Sequence, residues 1–105
     1  MLKVTFTESD NKLSLRLEGH AEYAEHGKDI VCASASILAC TLASIVEAFG
    51  FDVNINLESG NTTIECRCTK HPMTDIIRDS FNFAYIGYKL LADNYPQHVS
   101  LIDLT

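Results

Sequence analysis

With 105 residues, 47% of them hydrophobic, the chain has enough apolar surface for one modest core, which predicts a single domain over residues 1–105. Fourteen acidic residues against eight Lys and Arg leave a net charge of −6, which excludes a nucleic-acid partner, since phosphate binding needs clustered cations, and favours a basic protein or peptide. The opening MLKVTFTESD turns polar too early for a secretory leader, so we expect a cytoplasmic protein with four reduced cysteines.

Leu2–Thr7 and Lys12–Glu18 alternate apolar and polar residues around Ser9-Asp10-Asn11, the pattern of a β-hairpin. Residues 19–28 hold two glycines, two histidines and several charges without a period, and form a loop. From Ile30 to Phe49, Ile30, Ala33, Ile37, Leu38, Leu42, Ile45, Val46 and Phe49 recur at helical spacing, with Asp29 as cap and Gly50 as stop. Polar residues interrupt this stretch, so it reads as an amphipathic helix and not a membrane span. Phe51–Leu57 and Thr62–Thr69 make a second hairpin around Glu58-Ser59-Gly60-Asn61. Pro72 opens a helix to about Asn94, and Val99–Leu104 is a last short strand. The order ββαββαβ predicts an α+β two-layer sandwich, a mostly antiparallel sheet with two helices on one face.

Chemistry concentrates in GHAEYAEHGKDIVCASAS, residues 19–36. With Asp29 as the cap, Cys32 takes the third helical position, where free backbone N–H groups and the helix dipole favour a thiolate and offer an oxyanion hole. His20 ends the second strand, and the loop can return the chain so that imidazole and thiol meet, the pair a thiol nucleophile needs at neutral pH. Small residues from Ala33 to Ser36 admit a substrate backbone beside the helix, and Gly19 and Gly27 bracket the loop as hinges.

Plainer readings stand beside these. Cys32 is equally a small buried hydrophobe, His20 a hydrogen-bonded strand end, Asp29 only a cap, and Ser36 a hydroxyl bonded back to its own helix. Cys66-x-Cys68 with His71 begins a zinc pattern but lacks a fourth ligand, so we read strand packing and expect no metal. Cys40 is expected in the core, His26 is a rival base, and His71 and His98 are expected to face solvent. Phe81, Phe83, Tyr85 and Tyr88 read as core and interface.

The same segment resembles the signature of the ribosomal-processing cysteine protease family (Prp). Gly19-His20-Ala21, Gly27, Asp29-Ile30-Val31-Cys32-Ala33 and Ser36 fall in register with it, and chain length and element order are similar. The resemblance implies a homodimeric endopeptidase with a Cys–His dyad and no cofactor. Its substrate would be the precursor of a bacterial large-subunit ribosomal protein, the twenty-seventh, from which it removes an N-terminal extension. It gives Cys32 as nucleophile and His20 as base, supported by Gly19, Gly27, Asp29 and Ser36, with a flexible loop that substrate orders. Whether Asp29 orients His20 or only caps the helix stays open. Glu22 and Glu25 in the loop are placed to meet basic substrate residues. The first helix departs from the commoner pattern at Ser34 and Cys40. Two other classes remain: a non-catalytic module that binds a basic ribosomal protein, and a zinc-stabilised interaction domain.

Overall fold

The structure, a computed structural model, describes residues 1–67 and 74–104. Its elements are β1 (Leu2–Ser9), β2 (Lys12–Glu18), α1 (Ile30–Phe49), β3 (Phe51–Glu58), β4 (Asn61–Arg67), α2 (Thr74–Asn94) and β5 (Val99–Asp103), the predicted ββαββαβ order. The predicted end of the second hairpin at Thr69, the helix opening at Pro72, and Cys68 and His71 lie outside the described residues.

The β1–β2 turn places Asp10 and Asn11 at φ of 53° and 61°. Two consecutive positive φ angles twist a two-residue loop to suit paired strands, and Asp and Asn tolerate them. The strands order as β3-β4-β2-β1-β5. The two hairpins and the long-range β2–β4 pairing are antiparallel, but β5 runs parallel to β1, so the sheet is mixed. The crossover through α2 makes that parallel return possible.

Alternation along the strands puts Leu2, Val4, Phe6, Leu13, Leu15, Leu17, Ile64, Cys66 and Val99 in one buried layer under the helices. Cys66 is thus a packing residue, as expected of it. The opposite positions, among them Lys3, Arg16 and Glu65, stay polar, so the sheet has one wet face and one covered face.

Helix α1 turns a face of small residues to the sheet. Val31, Ala35, Ala39, Leu42, Ala43 and Val46 are buried, whereas Ile30, Ile37 and Phe49, which spacing picked out, are 55%, 65% and 45% exposed. The reason is complementarity between the layers: leucines and Phe6 of the sheet fill the gap, so the helix approaches with alanines. The hydroxyl of the buried Tyr88 on α2 donates to Ala35 O at 2.8 Å and locks the two helices together. Cys40 belongs to the exposed side of α1 and not to the core. By length and composition α1 would pass for a membrane span, with mean hydropathy 2.0, but one face of it, from Val31 to Val46, is built into the core of the sandwich. Gly50 ends α1 with an extended backbone and not a left-handed one. It is needed for room, since a Cβ there would sit 2.6 Å from Val46 O.

Candidate active site

His20 follows β2 after one intervening residue, Gly19, and two contacts hold this corner against the β3–β4 turn. Gly19, at φ 85°, donates its N–H to Gly60 O at 2.9 Å. The His20 ring then lies over Gly60 so closely that a Cβ at residue 60 would be 2.9 Å from Nε2. Gly60 also has φ 78°, which side chains rarely adopt. Sequence reading found only a turn there, because its role depends on a strand end far away in the chain. Gly60→Ala is expected to lower kcat about 10- to 100-fold by displacing the ring. Gly60→Asn, which tolerates positive φ but still carries a Cβ, should lose comparable kcat with a smaller fall in Tm.

The loop after His20 is anchored at its start and open at its end. Ala21 is 1% exposed, and its carbonyl accepts a hydrogen bond from Nδ1 of His98 at 2.9 Å. Tyr23 sets its ring edge-on to Tyr95 and His98, at centroid distances of 5.3 and 5.4 Å. His98 is therefore half-buried in a structural role and does not face solvent as expected. Residues 24–28 are exposed, and Gly27, at φ 88°, lets the chain turn back into the helix.

Asp29 joins loop and helix. One carboxylate oxygen accepts from Val31 N and Cys32 N at 3.0 and 2.9 Å, the other from Tyr23 N and Ala24 N at 2.8 and 3.2 Å. All four bonds go to backbone, so Asp29 caps α1 and clasps the loop instead of orienting His20. Burial by itself would raise the Asp29 carboxyl, but the backbone donors, that of Cys32 first, outweigh it and hold it below the usual 3.8. A depressed folded pKa adds stability that is fully present above the unfolded value and is lost as pH falls through the folded one. Asp29→Ala is accordingly expected to cost about 1 kcal/mol at pH 7 by denaturant titration, a difference that shrinks as pH drops below 3.8.

The same bonds change the expected oxyanion hole. The N–H groups of Val31 and Cys32 are already paired with Asp29, and the carboxylate offsets part of the positive helix end. Donors for a developing oxyanion must come from elsewhere unless Asp29 lets go.

A cavity of about 590 Å³ opens over the start of α1, bordered by His20, Gly27, Asp29, Cys32 and Ser36, with Glu22, His26 and Lys28 on the loop side. The fold thus gathers five of the six site residues picked from sequence, while Gly19 borders the adjoining groove. Cys32 is half-buried and His20 exposed. Among the described residues, neither side chain has a hydrogen-bond partner. Ser34, and not Ser36, bonds back to its own helix, donating to Ile30 O at 2.7 Å, which leaves Ser36 on the cavity wall one turn beyond Cys32. Among the described residues, no three His, Cys, Asp or Glu side chains gather as metal ligands.

Residues 1–100 match the family described as Cysteine protease Prp. The chain belongs to this family. Its chemistry is therefore that of a cysteine protease. The fold is shared with solved structures at full length. The ribosomal processing protease Prp from Staphylococcus aureus, in complex with a covalently linked product peptide, aligns over 98% of this chain and 99% of its own, with a TM-score of 0.78 and 23% identity. SMU.848 from Streptococcus mutans aligns over 100% and 95%, with a TM-score of 0.74 and 27% identity. The S. aureus protease with a substrate peptide aligns over 98% and 99%, with a TM-score of 0.72 and 21% identity. No curated protein sequence matches the chain.

Proposed function

We propose that this Prp-family protease is a cytoplasmic endopeptidase of ribosome assembly. It cuts the N-terminal extension from the precursor of the twenty-seventh large-subunit ribosomal protein, with Cys32 as nucleophile and His20 as base. The observation that carries this reading is a cavity of about 590 Å³ that Cys32 and His20 both border, in a chain of a cysteine protease family. The solved S. aureus relative, with its covalently linked product peptide, supports a covalent route.

In this mechanism His20 accepts the Cys32 proton as Sγ bonds to the scissile carbonyl carbon. The tetrahedral intermediate collapses with cleavage of the C–N bond, and the departing amine takes the proton from His20. Water, activated by the same imidazole, then hydrolyses the thioester and restores the thiol. His20 is the base in preference to His26 because it sits on an anchored strand end, while His26 stands in the exposed arc of the loop. Glu22 and Glu25, both exposed on the loop, and the net charge of −6 suit a basic substrate.

The outer faces of the helices support pairing with a second copy of the chain. Phe83, Ile37, Ile86 and Leu90 are 73%, 65%, 58% and 57% exposed, and a groove of about 510 Å³ between α1 and α2 is lined by Ile37, Leu38, Ile45, Ile76 and Phe83. Thr41 and Ser80, which also border it, donate their hydroxyls to carbonyls of their own helices, so covering them strands no donor. Phe83→Asp is expected to shift the mass measured by light scattering from dimer to monomer.

The decisive experiment incubates the protein with a synthetic peptide spanning the precursor's extension and its junction. We expect two products and, on rapid acid quench, a transient adduct on Cys32 with the mass of the acyl fragment. Intact peptide after prolonged incubation, or cleavage with no dependence on a free Cys32 thiol, overturns the reading.

A further inference from the structure

The turn between α2 and β5, residues 95–98, reaches the catalytic loop from the far end of the chain. Its backbone is fixed, since the N–H groups of His98 and Val99 both donate to Tyr95 O, at 2.9 and 3.0 Å, and His98 O accepts from Leu2 N at 2.9 Å. From this frame Nδ1 of His98 holds Ala21 O at 2.9 Å, and the rings of Tyr95 and His98 both meet Tyr23 edge-on. A carbonyl only accepts, so that nitrogen carries its proton toward Ala21. Each contact leads to one member of the reactive pair. Ala21 is bonded to His20, whose backbone therefore runs between two fixed neighbours, Gly19 tied to Gly60 O and Ala21 tied to His98. Tyr23 leads to the thiol: its N–H donates to Asp29 Oδ2 at 2.8 Å, while Oδ1 of that carboxylate accepts from Cys32 N at 2.9 Å.

We propose, on the protease reading above, that His98 backed by Tyr95 is a positioning residue for the reaction. Neither residue borders the cavity over Cys32 or the adjoining groove, so neither meets the peptide there. His98 acts through Ala21. The exposed His20 ring makes no hydrogen bond among the described residues, so its direction is set by its own backbone and by the Gly60 surface beneath it. Gly60 limits the ring on one side, and the His98 bond stops the following peptide from turning, which keeps the imidazole facing the cavity. A misplacement of about 1 Å in such a group costs on the order of 100-fold in rate, so one hydrogen bond to a neighbouring carbonyl carries a catalytic consequence beyond its part in holding the loop.

Two measurements test this. First, kcat and KM for the precursor peptide are compared among His98→Ala, His98→Asn and His98→Gln, with Tm taken for each. Asn can place an amide N–H where Nδ1 stands, whereas Gln, one carbon longer, reaches toward the position of Nε2. Ala and Gln should lower kcat about 10- to 50-fold with KM within about twofold of the parent, and Asn should bring kcat back to within about threefold. Second, and without substrate, the Cε1–H signals of ¹³C-labelled histidines are recorded by NMR in the folded proteins. The His20 signal, assigned by its loss in His20→Ala, should shift or broaden in His98→Ala and His98→Gln and return toward the parent position in His98→Asn. Parental kcat with an unmoved His20 signal in folded His98→Ala overturns the positioning role, and so does a loss of kcat that Asn fails to restore. If every variant at position 98 unfolds, Tyr95→Leu, which keeps the His98 bond and removes one edge contact from Tyr23, decides by the same two readouts. There, a lower kcat with a displaced signal supports the role and parental values overturn it. Should the parent itself leave the peptide uncut, the protease reading falls, while the His20 signal still decides whether His98 places the ring.

Discussion

Cys32→Ala is expected to lower kcat/KM for the precursor peptide by about 10⁴- to 10⁶-fold, leaving only what substrate binding contributes. His20→Ala should fall nearly as far, and the double variant hardly further, because nucleophile and base act in one step and their effects do not add. Single-turnover assays at matched protein concentration give all four rates of the cycle. A His20→Ala protein that keeps parental activity would move the base to His26, which borders the same cavity. The double-mutant comparison is needed because the resting structure leaves Cys32 and His20 without a hydrogen bond, so the cycle reads their coupling during turnover.

Leu15→Ala is expected to destabilise the fold by about 2–5 kcal/mol, a large share of the stability of a domain this size. Leu15 lies on the middle strand of the sheet, fully buried, between Phe6 and Ile64 in the pairing register. Strands on both sides and helices above hold its surroundings, so the space left by three lost carbons cannot close by local collapse. Urea titration should show a lower midpoint with little change in slope, and Tm should fall by on the order of 10 °C or more. At temperatures below the transition the surviving folded protein should keep its kcat, since Leu15 borders neither cavity. A loss of kcat in protein that remains folded would show that β2 transmits core packing to His20 at its end.

Part of the site was legible because its geometry is local. Asp29 and Cys32 are three residues apart, and a helix start by itself puts a capping carboxylate on the third N–H. That same capping bond, however, occupies the donor that a free helix end would offer an oxyanion, a consequence visible only once the side chain is placed. The first helix was recognisable from its apolar recurrence, yet the recurrence favoured Ile30 and Ile37 while the fold buries Ala35 and Ala39. Hydropathy ranks apolar size, whereas the gap between layers selects for fit.

Sequence by itself determined the order ββαββαβ, the first hairpin turn, the capped helix and the signature that joins His20 to Cys32, because each depends on residues within a few positions or on one short segment. Tertiary structure decided that β5 lies parallel to β1, that Gly60 lets His20 rest on a distant turn, and that His98 holds Ala21 across 77 residues. Those contacts form only when separate elements pack, and their energies come from shape and hydrogen bonding between partners that no local period encodes.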